Sequence, residues 1–380
     1  MKKCTTVTSP LLWCVFASVV PALAQAPPPS PPPPLLSPEV HADRRVTFRF
    51  RAPNAREVVV SRDGAPRLAM QKDEQGVWTV TTDPLEPDIY GYSFVADGVT
   101  LFDPSNPVAT VPNFLWTASS LHVPGPASLP WEQAEVPRGA IHKHFHHSSV
   151  VGDDRDFFVY TPPGYDPRAA APYPVLYLLH GFSDDTRAWT QVGRAHVILD
   201  NLIASGKAKP MVVVMPFGYG APEILLPTGP QFRDPSLRKR NTDNFRETLL
   251  KDVMPAAEKL YRISADRESR AIAGLSMGGG QSLDVGLNAR DRFAWVGAFS
   301  SAVPGDPDAA FPGLDASTKP PLRLLWIACG NEDFLTADNH KFQDWLKAKG
   351  VSHTPVWTPG GHTWLVWRRN LAEFAPLLFK

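Results

Sequence analysis

The chain has 380 residues, 43% of them hydrophobic and 20% charged, and its 38 basic and 38 acidic residues cancel to a formal net charge of zero. This length fits two domains or one large one, and the composition is that of a packed protein rather than a disordered one. Neutrality gives no electrostatic means of capturing nucleic acid or an anionic membrane.

The chain opens with Lys2 and Lys3, an apolar stretch over residues 11–20 and the small-x-small pattern Ala22-Leu23-Ala24. Residues 1–26 therefore read as a cleavable secretory signal, which predicts a soluble, secreted or periplasmic protein. The apolar stretch is too short to span a bilayer, and Pro21 interrupts it. Of the three cysteines, Cys4 and Cys14 leave with the signal, so no internal disulfide can form and a core must supply the stability. Cys329 lies in the apolar run 324–329 and reads as a buried structural thiol. Residues 27–38 are a proline-rich linker, stiff and solvated.

Residues 39–123 are patterned for strands. Residues 45–50 and 76–80 alternate polar and apolar, and Arg62-Asp63-Gly64 and Ala96-Asp97-Gly98 mark turns. Short strands at close spacing predict a small all-β, immunoglobulin-like sandwich. Trp78 either fills its core or binds glycan. Residues 124–138 read as a linker.

From residue 139 to 380, apolar strands (173–179, 211–215, 269–273, 322–328) alternate with helical periods (244–261, 277–287, 341–349, 364–378). This alternation predicts a mostly parallel sheet covered by helices on both faces. Residues 216–243 lack periodicity and suit a substrate loop. His142, His144 and His146 fall on one face of the first strand of this region. Zinc is one reading of that pattern, and a polar edge strand, with no metal, is the reading adopted here.

Gly274-Leu275-Ser276-Met277-Gly278 follows the apolar run Ala271-Ile272-Ala273 and leads into a helix. Strand, sharp turn and helix with a serine at the turn describe the nucleophile elbow of an α/β-hydrolase. The pentapeptide alone is weak evidence, so the remaining catalytic parts must be found. In this fold the acid and then the base follow the nucleophile, on loops after late strands. Asp333, in Gly330-Asn331-Glu332-Asp333, is the acid, with Glu332 the alternative. His362, in Pro359-Gly360-Gly361-His362-Thr363, is the base, on a loop whose glycines allow close approach. A serine hydroxyl needs that base to remove its proton during attack, and the acid fixes the imidazole tautomer. The oxyanion donors are the backbone N–H of Met277 and, after Leu179-His180-Gly181, that of Phe182. His180 orients this loop. Trp189, Phe217, Tyr219 and Trp364 lie near these loops and are candidate substrate contacts.

Thr161-Pro162-Pro163-Gly164-Tyr165, Leu179-His180-Gly181, Gly274-Leu275-Ser276-Met277-Gly278-Gly279 and Gly361-His362 resemble the first family of carbohydrate esterases. That family includes feruloyl and acetylxylan esterases and is related to enterochelin esterases and esterase D. The likeness runs from about residue 139 to 380. Tyr90-Gly91-Tyr92-Ser93-Phe94, Asp97-Gly98 and 103–107 resemble the early-set or glycogen-binding-like domain often fused to such enzymes. The resemblance implies hydrolysis of feruloyl or acetyl esters on plant cell-wall polysaccharide or oligosaccharide, or of a small aryl or acyl ester, without metal or cofactor. It also supports Ser276, Asp333 and His362 as the triad. Alternatives are hydrolysis of a siderophore trilactone, acyl transfer to a sugar, and glycan binding without catalysis.

Overall fold

The computed structural model describes residues 34–106, 111–226 and 234–380. The signal segment and the proline run through Pro33 lie outside these residues.

The first layer pair is a sandwich. One sheet has the order β1 (Glu39–Val40), β2 (Val46–Arg51), β6 (Val77–Thr81) and β5 (Gln71–Lys72). The other joins β4 (Leu68–Ala69), β3 (Val58–Arg62), β7 (Asp88–Ala96) and β8 (Val99–Leu101), and β9 (Ser119–Val123) pairs with the first half of β7. All pairings are antiparallel, and alternate residues Val46, Phe48 and Phe50 of β2 enter the core with Tyr92 and Phe94 of β7. Trp78 is part of that core, and its indole N–H donates to Ala52 O at 2.9 Å.

The second part is an eight-stranded sheet in the order β10 (Ala140–His147), β11 (Asp154–Thr161), β13 (Val212–Pro216), β12 (Val175–Leu179), β14 (Arg270–Leu275), β15 (Trp295–Phe299), β16 (Leu324–Gly330) and β17 (Thr354–Thr358). Every pairing from β13 onward is parallel, and β10 and β11 add antiparallel strands at one edge. Its central strands are buried on both faces because both faces carry helices. Leu176 and Leu178 of β12 pack with α1 (Ala188–Gln191), α2 (Ala195–Ala204) and α8 (Trp364–Phe374). Val175, Tyr177 and Leu179 point the other way, to α3 (Pro235–Thr248), α4 (Met254–Leu260), α5 (Met277–Asn288) and α7 (Thr336–Ala348). The short α6 (Pro307–Ala310) caps this side. These are the three layers of an α/β-hydrolase, and the sandwich joins them in one compact unit over Leu35–Lys380.

Several expectations are corrected. The helix expected from residue 244 begins at Pro235, with Asp234 as its N-cap accepting from Ser236 N–H and Leu237 N–H. Pro235 has no N–H to satisfy at the first helical position, so Asp-Pro here starts a helix rather than extending a loop. The helix expected from 341 begins at Thr336. Strand β15 was not anticipated, and 124–138 is no free linker. Trp131 is buried there, and Asn201 Nδ2 donates to Pro130 O and Glu132 O at 2.9 and 2.7 Å.

The sandwich is anchored on α8 through a buried charge cluster. Asp88 Oδ1 accepts from Arg368 at 2.7 Å and Asp88 Oδ2 from Arg369 at 2.7 Å, and Arg368 also donates to Ile89 O and Val192 O. Asp88 and Arg368 are both buried, so the pair is matched away from water.

Candidate active site

The elbow is built by steric exclusion. Ser276 sits at φ 52°, ψ −113°, a left-handed backbone that costs on the order of 1–3 kcal/mol for a residue with a side chain. It is held by Ser276 N–H donating to Phe299 O at 2.8 Å and by Ser276 O accepting from Ala302 N–H at 2.9 Å. A Cβ on Gly274 would lie 2.6 Å from the Gly278 backbone, and one on Gly278 would lie 2.7 Å from Leu179 O and closer still to His180 O. Strand β14, helix α5 and the loop after β12 meet only because both positions lack side chains.

Loops after β16 and β17 bring the other parts to Ser276. Asn331 N–H donates to Thr358 O at 2.8 Å and Glu332 N–H to Gly360 O at 3.1 Å, which ties the two loops together. His362 Nε2 lies 2.9 Å from Ser276 Oγ, and His362 Nδ1 lies 2.8 Å from Asp333 Oδ2. The carboxyl of Asp333 is fully buried, whereas Glu332 is exposed. Burial pushes Asp333 up, but the hydrogen bond and charge of His362 and the Leu335 N–H outweigh it and hold the carboxyl below its ordinary value. Phe334 lies tilted against the imidazole with ring centroids 4.5 Å apart, and Trp367 stands edge-on at 4.9 Å. Neither aromatic was anticipated, although Phe334 directly follows the acid in sequence.

Beside Ser276 runs the turn that carries Phe182. A Cβ on Gly181 would lie 3.5 Å from the Ser276 Cβ, so the turn passes next to the serine. Met277 opens α5, where backbone N–H groups have no partner within the helix. His180 braces the turn from below. Its Nε2 accepts from Gly218 N–H at 2.9 Å, so Nδ1 carries the proton and donates to Gly181 O at 2.9 Å. Burial lowers its pKa and keeps the ring neutral.

The four aromatic candidates separate. Trp364 lines the cleft. Trp189 does not. It is buried, with its indole N–H donating to Leu179 O at 2.9 Å and its ring 5.1 Å from that of Trp364. Tyr219 is fully buried against the turn that carries Phe182, donating to Asp184 O at 3.1 Å, and Phe217 packs 5.0 Å from it. Trp189, on α1, and Tyr219, in the loop after β13, thus support loops instead of facing substrate, each held by a hydrogen bond to a backbone carbonyl.

Ser276 and His362 open into a cleft of about 1580 Å³. One wall was not legible in advance, since Asp63, Gly91, Asn113, Leu115 and Trp116 come from the sandwich and its last loop. Asp184 also lines it. Burial foremost, with the neighbouring charge of Asp185, pushes this carboxyl up to about 7, against the hydrogen bond from Asn113.

The histidines of β10 face their own neighbours. His144 Nε2 lies 2.5 Å from Tyr261 Oη, and the rings of His144 and His146 pack on Phe157 at 5.2 and 5.6 Å. Among the described residues no group of three His, Cys, Asp or Glu side chains is placed to hold a metal ion. No helix among them is long and apolar enough to cross a membrane.

The chain is similar to known proteins in sequence and fold. The family model described as "Putative esterase" matches residues 148–378. An endo-1,4-β-xylanase/feruloyl esterase of Xylanibacter ruminicola is 30% identical over 354 residues, 90% of this chain but 46% of that protein. The chain therefore spans about half the length of that relative. An acetyl esterase of Caldicellulosiruptor saccharolyticus is 23% identical, over 52% of this chain and 80% of its own. The ferulic acid esterase of Anaeromyces mucronatus superposes with a TM-score of 0.58 at 27% identity, covering 67% of this chain and 96% of its own. The enterobactin esterase of Shigella flexneri shares the fold over 87% of this chain and 92% of its own, with a TM-score of 0.64 at 19% identity. With a family match across most of the three-layer sheet, the chain belongs to the esterase family, carboxylic ester hydrolases of the α/β-hydrolase fold.

Proposed function

We propose that this protein is an exported serine esterase that hydrolyses feruloyl or acetyl esters on plant cell-wall polysaccharide. The observation that carries the reading is the continuous relay from Asp333 through His362 to Ser276, with contacts of 2.8 and 2.9 Å. The feruloyl and acetyl esterase relatives supply the acyl class, and the signal pattern of residues 1–26 supplies the export route.

Ser276 Oγ attacks the ester carbonyl while its proton passes to His362 Nε2. The oxygen that becomes negative accepts hydrogen bonds from the N–H groups of Met277 and Phe182, each donor being worth about 3–4 kcal/mol at the transition state. The imidazolium, held by Asp333, gives its proton to the departing alcohol oxygen and leaves an acyl-Ser276 ester. A water molecule then attacks that ester as His362 Nε2 takes its proton. Collapse releases the acid and returns the proton to Ser276 Oγ. Asp333 stays ionised throughout, since its carboxyl already sits below its ordinary value.

Purified protein assayed on methyl ferulate, acetylated xylan and a catecholate trilactone tests the reading. Turnover of one of the first two is expected, and Ser276→Ala lowers it roughly 10⁴-fold or more. Preference for the trilactone would replace the substrate assignment, and retained turnover in Ser276→Ala would remove the triad.

A further inference from the structure

The segment of residues 111–118, which leads into β9, lies against the turn beside Ser276. A single carboxamide organises it. Asn113 Oδ1 accepts from Leu115 N–H and Trp116 N–H, both at 2.9 Å, which folds the tip. Asn113 Nδ2 donates to Ser183 Oγ at 2.8 Å and Asp184 Oδ1 at 3.0 Å, and Phe114 N–H donates to Ser183 O at 2.7 Å. The acceptor and donor capacity of the amide is thereby used, half on the arm and half on the turn. Beneath the tip, the Phe114 ring packs edge-on against Phe217 at 6.3 Å and Tyr219 at 6.4 Å. This explains why Phe217 and Tyr219 are aromatic without facing the cleft.

Such an anchor fixes what stands beyond it. Leu115 and Trp116 line the same cleft as Ser276 and His362, and Trp116 is 60% exposed. Its indole has no ring partner among the described residues. A rigidly carried, solvent-facing indole in a catalytic cleft presents a flat apolar face for stacking. Its position also bears on which half of an ester it meets. The alcohol must leave from the His362 side, because that imidazole protonates it. The arm is tied instead to the turn that carries Phe182.

We infer that Trp116, carried by the sandwich arm, is a specificity-determining residue that stacks on the aromatic ring of an arylacyl ester. This rests on the esterase reading above and deepens it, since it assigns the sandwich a direct part in acyl selection.

Trp116→Ala and Trp116→Phe test it. Trp116→Ala is expected to lower the ratio of kcat/KM on methyl ferulate to that on ethyl acetate tenfold or more, chiefly through KM. Trp116→Phe restores most of the ratio. An unchanged ratio overturns the inference. A second measurement does not depend on turnover. Calorimetry of methyl ferulate binding to Ser276→Ala, which retains the intact ester, is compared with the Ser276→Ala/Trp116→Ala double variant. A Kd at least tenfold weaker in the double variant supports the stacking, and equal Kd values refute it. A wild-type protein that binds methyl ferulate through Trp116 yet does not hydrolyse it would refute the esterase reading alone.

Discussion

The elbow and the sandwich arm reach the same cleft by opposite means. At Ser276 the backbone itself is locked, with positive φ, two main-chain hydrogen bonds and glycines where any Cβ would strike neighbouring backbone. The arm is held by side chains, above all by the carboxamide of Asn113. A nucleophile must be placed to within a fraction of an ångström, and backbone over-determination gives that. A wall that selects a ring tolerates more play, so one amide is enough. The same reaction centre therefore combines a part that cannot change with a part that can be exchanged.

Breaking the elbow has the largest effect. In Gly278→Ala the new methyl would sit 2.7 Å from Leu179 O, a backbone atom that cannot swing aside. Either the helix or the turn after β12 must move, and a displacement near 1 Å costs about 10²-fold in rate. We expect kcat/KM to fall by at least this factor on every ester, acetyl and aryl alike. A loss confined to aryl esters would contradict the distinction drawn here.

Breaking the sandwich anchor comes next, and it acts on stability. Asp88→Ala strands Arg368 and exposes the Arg369 contact to loss, with both members of the main pair buried. Removing one partner of a buried pair costs about 3–5 kcal/mol. Chemical denaturation should register a loss of that order, while Ser276, His362 and Asp333 keep their geometry. An unchanged unfolding curve would mean that apolar packing alone seats the sandwich.

The two regions also differ in how far the sequence revealed them. The turn at Ser276 and the loops of Asp333 and His362, which the structure brings into contact, are legible locally, because a strained turn needs glycines. The arm is not, since Asn113 and Ser183 are 70 residues apart and nothing within Asn113-Phe114-Leu115-Trp116 marks a docking amide. Asp88 and Arg368 are 280 residues apart, and each reads alone as a surface charge. Trp189 and Tyr219 were misplaced for a related reason, since proximity in sequence to a catalytic loop does not decide which side of it a ring occupies. Strand β15 is poorly marked in the sequence because Gly297 interrupts its apolar run. That glycine makes room where the Phe374 ring of α8 packs on the sheet, 2.7 Å from where a Cβ would sit. The start at Pro235 was legible, since Asp-Pro is a helix-opening pair, but the surrounding Pro and Arg masked it.

The smallest effect concerns the joint between the two regions, and its sign can be derived. Asp184 is buried beside Asn113, and its folded pKa is raised from 3.8 to about 7. Below 3.8 the carboxyl is protonated in both folded and unfolded chains and costs nothing. Between 3.8 and about 7 the folded state holds a proton that the unfolded state has released, so stability declines as pH rises through this window. The decline levels off above 7. Asp184→Asn keeps an oxygen to accept from Asn113 Nδ2 and carries no charge, so it should flatten that slope and be the more stable protein at pH 8. Asn113→Ala should do the reverse, because the hydrogen bond it removes is one that lowers the Asp184 pKa. Unfolding free energies of the three proteins between pH 4 and 8 check this. Parallel curves would mean that Asp184 is solvated and that the arm is not tied through it to the turn that carries Phe182.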